Sequence, residues 1–215
     1  MLEFRVLGPF TVLRDGQPLP IGGGRRRAFL ALLVLHAGRV LSHARIADEI
    51  WNGEPPRTAA HGLEVHASEL RKLLGADVLR TRPPGYALEV DPDSIDAARF
   101  QRLASDAYET LAHGDPTTAA RLLADAEQLW HGDVLADIAE ADFARHEARR
   151  LDEIHVTTRE LAAEAELALG VSPATLAALR DAAAAHPYRE RTQALRGKIV
   201  SNSLNLCSPR AFNLV

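Results

Sequence analysis

Residues 58–90 read TAAHGLEVHASELRKLLGADVLRTRPPGYALEV, and this stretch decides the fold. Its first half has helical spacing, since at about 100° per residue four apolar side chains fall on one narrow face. These are Leu63, Ala67, Leu70 and Leu74. Its second half places Pro83-Pro84-Gly85 between two β-prone segments, 78–82 and 86–90, an order typical of a hairpin. The sequence therefore predicts a helix over 58–74 followed by a β-hairpin.

The preceding residues supply the other elements of a small domain. Short strands are predicted at 2–7, 10–14 and 18–21. An apolar helix is predicted over 25–37, and Ser42 is a favourable N-cap for a helix that runs to about Trp51. Strands, three helices and a terminal hairpin follow the order of a winged helix-turn-helix, in which the helix over 58–74 is the recognition helix.

Strand signals nearly vanish after Asp91, and helical segments separated by short turns replace them. Helices are predicted at 95–112, 116–130, 141–169, 173–185 and 188–196. Short connections of this kind favour antiparallel helix pairs. The fold class predicted for the whole chain is mainly α with small β: a winged helix over 1–92, an all-α domain over 93–197 and an atypical tail over 198–215.

Composition excludes several classes of protein. The chain has 215 residues, of which 47% are hydrophobic and 25% charged, a mixture typical of soluble globular proteins. The longest apolar run, 28–35, is far shorter than a membrane span, and residues 1–7 lack a signal-peptide core. Cys207 is the only cysteine, which excludes an internal disulfide and fits a reducing compartment. We therefore expect a cytoplasmic protein without membrane contact.

The net charge of −4 argues at first sight against a nucleic-acid partner. Residues 1–92, however, contain 12 Lys+Arg and 10 Asp+Glu, a net charge of +2. Residues 93–215 contain 13 and 19, a net charge of −6. The acidity therefore belongs to the helical half, and it does not count against DNA binding by the first domain.

Four side chains of the recognition helix lie opposite its apolar face, and we call them the outer stripe. They are His61, Val65, Ser68 and Lys72. Histidine and serine can donate to base edges or phosphates, lysine can neutralise a phosphate, and valine can contact a thymine methyl group. An ordinary solvated helix face has the same spacing. Glu64 and Glu69 flank the stripe and would repel phosphates, although either could accept from a cytosine amino group.

Arginines occur at two further positions that suit DNA. Arg80, Thr81 and Arg82 precede the hairpin tip, where they would meet a minor groove or flanking phosphates. Arg25-Arg26-Arg27 begins the apolar helix, although cations are unfavourable at a helix N-terminus. The cluster therefore interacts with something outside its helix, either a phosphate backbone or the acidic second domain.

Nothing in the sequence supports catalysis. There is no Walker-type phosphate loop, and His61 and His66 lack the i, i+4 spacing of a zinc-binding helix. His66 falls near the apolar face, which favours a packed side chain. We expect no enzymatic activity, no catalytic residue, no cofactor and no metal.

Several motifs follow one another along residues 2–191. They are Leu7-Gly8-Pro9, Arg25-Arg26-Arg27, Ile50-Trp51 ahead of Pro55-Pro56, and the segments 69–75, 82–86, 96–100, 129–132, 143–145 and 186–191. In this order they resemble the antibiotic regulatory protein (SARP) family of actinomycete transcription activators. The resemblance implies an OmpR-type winged helix followed by a bacterial transcriptional activation domain of tetratricopeptide-like helices.

The resemblance also implies a function and a set of contacts. Such proteins bind direct repeats in double-stranded promoter DNA, usually as homodimers, and help to recruit RNA polymerase holoenzyme to biosynthetic gene clusters. Together with the helix start and the wing arginines, the positions it implies give the candidate DNA-binding residues Trp51, Arg57, Thr58, His61, Val65, Ser68, Glu69, Arg71, Lys72, Arg80, Thr81 and Arg82.

Two departures from the family pattern carry expectations of their own. Glu69 stands where a basic residue is common, and the match ends after about Arg196. We therefore expect a partial second domain with an apolar face covered by a partner or a dimer mate. The tail over 198–215 suggests a truncated reading, a shifted frame or foreign residues, or else a natural polar tail. The alternative function is a helical protein-interaction or ligand-sensing module that uses the winged helix as a scaffold.

Overall fold

In the computed structural model, which describes residues 1–170, the chain begins with a three-stranded antiparallel sheet. Its strands are β1 (Leu2–Arg5), β2 (Thr11–Arg14) and β3 (Gln17–Pro18), in the order β1-β2-β3. Phe4 pairs with Val12 at its centre, and both side chains are fully buried. The third strand is shorter than predicted, because Pro18 and Pro20 have no N–H group to donate to a ladder.

Three helices follow the sheet: α1 (Gly24–Leu35), α2 (His43–Ile50) and α3 (Ala59–Leu74). Seven consecutive residues of α1, 28–34, are buried, so α1 occupies the centre of the core as its apolar sequence predicts. Ser42 caps α2, because its side chain accepts a hydrogen bond from the backbone N–H of Arg45 at 3.2 Å. The predicted recognition helix is α3, with Thr58 at its N-cap.

A second antiparallel sheet forms the wing, with strands β4 (Leu41–Ser42), β5 (Leu79–Arg82) and β6 (Gly85–Leu88) in the order β4-β6-β5. Arg82 pairs with Gly85, so Pro83 and Pro84 form a two-residue turn at the wing tip. A Cβ atom at Gly85 would overlap the carbonyl oxygen of Leu41. Glycine is therefore required where β6 approaches β4.

Two later segments complete the first compact unit, which comprises residues 1–101 and 128–152. Helix α4 (Asp96–Ala112) begins in this unit, and the ring of Phe100 meets Trp130 edge to face at 5.4 Å. Beyond residue 127 the chain turns back to the N-terminal sheet, where the N–H of His131 donates to Leu7 O at 2.7 Å. Helix α5 (Pro116–Glu127) therefore ends three residues before the predicted 130.

The described part of the second unit comprises residues 102–127 and 153–170. It is built from the end of α4, the whole of α5 and the later part of α6 (Asp142–Leu169). Its buried core consists of small and aliphatic side chains, namely Ala107, Ala119, Leu123, Leu161 and Ala165.

The helices predicted at 173–185 and 188–196, and the tail over 198–215, lie outside the described residues. The domain boundary at residue 92, with domains over 1–92 and 93–197, and the tetratricopeptide-like character of the second domain stay predictions.

Candidate nucleic-acid interface

The amphipathic pattern of α3 is confirmed in the structure. Leu63, Ala67, Leu70 and Leu74 are buried. All four members of the outer stripe are exposed, including Val65, of which 44% of the surface is accessible. An exposed valine in the middle of a polar face contributes nothing to the core, so it is available for an apolar contact with a ligand. Helix α3 therefore presents a chemically mixed surface 16 residues long.

Two of the four stripe side chains lie beside acidic neighbours. The Nζ atom of Lys72 lies 2.7 Å from Oε1 of Glu69, and this hydrogen bond lowers the pKa of the Glu69 carboxyl below its ordinary value. Nδ1 of His61 lies 3.8 Å from Oε2 of Glu64, and the two form an ion pair when the imidazole is protonated. Glu69 is therefore the partner of the stripe's lysine and not an isolated negative charge.

Arg71 points from α3 to the wing. Its Nε donates to the carbonyl oxygen of Leu79 at 2.9 Å, and Nη2 donates to Oγ1 of Thr81 at 2.6 Å. The guanidinium carbon also lies 5.6 Å from the ring centroid of Tyr86, a cation–π distance. Arg71 and Thr81 thus bind each other, and they fix the recognition helix beside the wing.

The two wing arginines share one carboxylate that sequence reasoning missed. Nε of Arg80 lies 2.9 Å from Oε2 of Glu89, and Nε of Arg82 donates to Oε1 of the same residue at 2.8 Å. Strand alternation contains a signal for this contact, because residues two apart in β5 face the same side of the hairpin. The N–H of Glu89 donates to Val78 O, which places its side chain diagonally across from Arg80.

The candidates at the start of α3 have fewer constraints. Arg57 is exposed, and within residues 1–170 no side-chain hydrogen bond or ion pair holds it. Thr58 makes no capping hydrogen bond with its hydroxyl, which leaves that group able to bind a phosphate. Trp51 ends α2, and its indole lies beneath the guanidinium of Arg25 at 5.0 Å.

Two arginines of the cluster Arg25-Arg26-Arg27, namely Arg25 and Arg27, are engaged by protein groups. Arg25 donates to the carbonyl oxygen of Ile50 at 3.0 Å, in addition to its contact with Trp51. Arg27 forms an ion pair with Asp137, and its Nε donates to the same carboxylate at 2.7 Å. The sequence left two partners open for this cluster, a phosphate backbone or the acidic residues beyond 92. For Arg27 the partner in the structure is one of those acidic residues, Asp137.

His66 is half-buried between the two faces of α3. Burial, with Arg26 nearby, lowers the pKa of its imidazole below the ordinary value, so the ring is neutral at pH 7. This agrees with a packed histidine. Among residues 1–170 no cluster of three or more His, Cys, Asp or Glu has the arrangement of a metal site. In the same part of the chain, no helix is both long and apolar enough to cross a membrane.

A helix-turn-helix joined to a hairpin wing, with one face of its recognition helix exposed, defines the class of protein: a winged helix-turn-helix protein. Residues 21–88 match the family described as "Transcriptional regulatory protein, C terminal". Residues 95–197 match the "Bacterial transcriptional activator domain".

Individual relatives agree with these matches. The regulatory protein AfsR of Streptomyces coelicolor is 37% identical over 195 residues, which cover 90% of this chain and 20% of AfsR. The regulatory protein DnrI of Streptomyces peucetius is 32% identical over 201 residues, which cover 88% of this chain and 74% of DnrI. The solved structure of Mycobacterium tuberculosis EmbR in complex with a low-affinity phosphopeptide has a TM-score of 0.89 at 32% identity, covering 95% of this chain and 57% of that one.

The chain belongs to the antibiotic regulatory protein (SARP) family of transcriptional activators. The predicted fold class is confirmed, as a winged helix followed by a helical domain. The family is one of DNA-binding transcription regulators and not of enzymes, as the sequence predicted. The chain spans 20% of the length of AfsR and 50% of the length of the mycobacterial EmbR proteins.

Proposed function

We propose that this chain is a sequence-specific DNA-binding activator in which α3 reads the major groove and the wing contacts adjacent phosphates or the minor groove. One observation carries the proposal: Arg71 joins α3 to β5 through Leu79 O and Thr81 Oγ1, at 2.9 and 2.6 Å. A helix and a hairpin held together in this way can enter neighbouring grooves as one body. The other candidate contacts lie on the two joined elements or on the loop before α3.

The candidate residues divide by the kind of contact they can make. Val65 is the candidate for a thymine methyl group, and Ser68 and His61 are candidates for base edges or phosphates. Lys72, Arg57 and Thr58 suit phosphates near α3, while Arg80 and Arg82 suit phosphates or the minor groove beside the wing. Trp51, Glu69, Arg71 and Thr81 complete the proposed set. In this proposal Arg71 and Thr81 contribute mainly by fixing the wing to the helix.

We further propose that the protein works in the cytoplasm as a homodimer on direct repeats in promoters, and that its second domain helps to recruit RNA polymerase holoenzyme to biosynthetic genes. The match of residues 95–197 to an activator domain supports the second step. Membership of the SARP family supports the proposal that the target genes are biosynthetic genes. Helices of the predicted tetratricopeptide-like type would offer the kind of stacked surface that binds another protein.

Selection from a library of random duplexes, with the full chain as bait, tests the proposal. We expect enrichment of one sequence in two copies whose centres lie about one helical turn, or roughly 10–11 base pairs, apart. Recovery of a single copy of the sequence would overturn the proposed homodimer and would still support sequence-specific DNA binding. Enrichment of no sequence would overturn specific DNA binding and favour the scaffold alternative.

A further inference from the structure

Asn52 begins the exposed turn between α2 and α3, and its side chain binds a segment far away in the sequence. Its Nδ2 donates to the carbonyl oxygen of Glu140 at 3.0 Å, and its Oδ1 accepts from the N–H of Asp142 at 3.0 Å. The backbone at Asn52 is left-handed, with a φ of 51°, a conformation that asparagine adopts more readily than most residues. One amide group thus uses both its donor and its acceptor to join the turn to residues 140–142.

The segment that Asn52 binds is the start of α6. Asp142 is the first residue of this helix, and a first-turn N–H has no acceptor within its own helix. The side chain of Asn52 supplies the missing acceptor. Arg145 donates to the carbonyl oxygens of Ala139 and Glu140, both at 3.0 Å, and so ties the approach to the helix itself. Asn52 is therefore attached to a helix end that is itself fixed.

Asn52 carries the side-chain hydrogen bonds of the turn over 52–58. All seven residues of the turn are exposed, and among residues 1–170 no other side chain of the turn makes a hydrogen bond or an ion pair. The N–H of Gly53 donates to Asp48 O at 2.9 Å, which ties the start of the turn to α2. Because the turn carries Arg57 and leads into α3, its conformation determines where the first residues of the recognition helix lie.

The partners of Asn52 lie outside the winged-helix match. Residues 139–142 fall within the match to the activator domain, which covers 95–197. In the structure they nevertheless belong to the same compact unit as the winged helix, which comprises residues 1–101 and 128–152. The contact therefore links the two family matches inside one folded unit. Neither hydrogen bond of Asn52 uses a candidate DNA contact, so both can persist when DNA is bound.

We propose that Asn52 is a positioning residue, through which the start of α6 holds the turn ahead of the recognition helix in its DNA-binding conformation. A turn that is already ordered loses less conformational entropy when DNA binds, so the two hydrogen bonds raise affinity without touching DNA. The same coupling makes the start of α6 a place of regulation, because a partner that displaces residues 140–142 would lower DNA affinity. The inference rests on the proposed function, whose site it regulates.

The first test compares the full-length wild-type chain with Asn52→Gly, since glycine removes the amide and accepts the left-handed backbone. We expect Asn52→Gly to bind the duplex enriched by selection about 3- to 10-fold more weakly, as measured by fluorescence anisotropy, because a modest coupling is lost. Asp15→Gly is the matched control, since Asp15 has a φ of 52° in the turn between β2 and β3 and is not a candidate DNA contact. Unchanged affinity of Asn52→Gly, or an equal loss in Asp15→Gly, would overturn the inference.

Coupling acts equally in both directions, which gives a readout that a purely structural role would not change. If DNA binds more tightly when Asn52 is bound to Asp142, DNA must also stabilise this contact. We therefore expect the enriched duplex to slow hydrogen exchange of the Asp142 amide, followed by NMR, by a factor similar to the affinity lost in Asn52→Gly. In Asn52→Gly the same duplex should leave that exchange unchanged. No slowing in wild type, or equal slowing in the variant, would contradict the proposed coupling.

Two substitutions at Asp142 test the same contact from its other side. Proline lacks the N–H and is well accepted at the first position of a helix, whereas alanine keeps the N–H; both lose the carboxylate, which is paired with Arg145. Asp142→Pro should bind the enriched duplex about 2- to 5-fold more weakly than Asp142→Ala, because it loses one of the two hydrogen bonds. In an Asn52→Gly background the two should bind equally.

Equal affinities of Asp142→Pro and Asp142→Ala in the wild-type background, or a difference that persists in Asn52→Gly, would overturn the inference. If Asn52→Gly does not fold, the comparison of Asp142→Pro with Asp142→Ala decides alone.

The inference and the proposed function can fail separately. A wild-type chain that binds the enriched duplex and a shuffled duplex of equal length with the same affinity overturns both. A wild-type chain that discriminates between them, together with an Asn52→Gly variant of unchanged affinity, overturns the role of Asn52 alone.

Discussion

Lys72 and Glu69 are ion-paired at 2.7 Å, so in the proposed function Lys72 would have to leave Glu69 before it could bind a phosphate. The pair is exposed, so its rupture costs little. The hydrogen bond from Lys72 lowers the pKa of Glu69, so its carboxyl stays ionised near neutral pH. In the proposed function, Lys72 would therefore be a phosphate contact whose strength Glu69 moderates.

Substituting Lys72 by alanine should weaken binding to the duplex enriched by selection and to a shuffled duplex of equal length by similar factors. It should also reduce the salt slope by about one. Loss of the lysine also leaves Glu69 unpaired near phosphates, which adds repulsion. Anisotropy titrations over a range of NaCl concentrations measure both effects, with Arg5→Ala on β1 as a control that removes a half-buried cation elsewhere. An unchanged slope would mean that this end of α3 does not face the DNA backbone.

Asp96 is a buried carboxylate at the start of α4, with 2% of its surface exposed. It accepts hydrogen bonds from the backbone N–H groups of Val6, Leu7 and Ala97 at 2.7–3.0 Å. Burial raises its pKa from the ordinary 3.8 to about 6, although the three N–H donors act in the opposite direction. The folded protein therefore binds a proton here at pH values where the unfolded chain has released it.

This raised pKa makes a signed prediction for stability. Between about pH 4 and pH 6 the folded state binds more protons than the unfolded state, so the contribution of Asp96 to the free energy of unfolding falls as pH rises and is constant above that window. We expect the free energy of unfolding of wild type minus that of Asp96→Asn, both measured in urea, to fall by up to about 3 kcal/mol from pH 4 to pH 7. Because His66 has a lowered pKa and the opposite trend, only this difference isolates Asp96. A difference independent of pH would contradict the prediction.

At the scale of elements, Arg71 fixes the position of the wing relative to α3, because it joins α3 to β5. Arg71→Ala removes two hydrogen bonds and one cation–π contact. We expect faster amide hydrogen exchange in β5 and β6 and weaker binding to both duplexes, with no change of exchange in α1. Arg14→Ala is the matched control, because Arg14 donates to Leu73 O at 2.7 Å, near the end of α3, from strand β2. Unchanged exchange in the wing would show that Arg71 is not what holds it.

Two glycines of the winged helix should respond oppositely to alanine. Gly85→Ala drives a Cβ atom into the Leu41 backbone, and we expect a loss of about 1–3 kcal/mol or more in the free energy of unfolding. Gly62 lies within α3, where an added Cβ would meet only Trp51, at 3.9 Å. Gly62→Ala should stabilise by about 0.5–1 kcal/mol, since alanine is the better helix former. Urea denaturation checks both, and equal effects would contradict this account of the two sites.

The elements with local signals were the ones that the sequence predicted well. The apolar run of α1, the cap at Ser42 and the period of α3 each depend on neighbours within a turn of helix, and all three are confirmed. The return of the chain near His131 to Leu7 was not predicted, because it joins residues more than 120 positions apart. The contact of Glu89 with Arg80 and Arg82 was missed for a related reason, because it depends on the register in which β5 and β6 pair.

At the scale of the whole molecule, charge is distributed unevenly along the chain. Residues 1–92 carry a net charge of +2 and residues 93–215 a net charge of −6. Affinity for a duplex comes from cations placed at phosphates and not from the total charge. The cations of the wing and of the end of α3 are paired with Glu89 and Glu69, so they must leave these carboxylates before they can bind phosphates.

The most direct test of the central claim, that α3 and the wing read DNA sequence, is the ratio of affinities of the full chain for the enriched and the shuffled duplex at one physiological salt concentration. If α3 and the wing read DNA sequence, this ratio is roughly 10³ or more in favour of the enriched duplex. Substituting Val65 should remove the preference for one base pair of the enriched sequence, and the ratio of affinities should fall as a result. Equal affinities for the two duplexes would contradict the account.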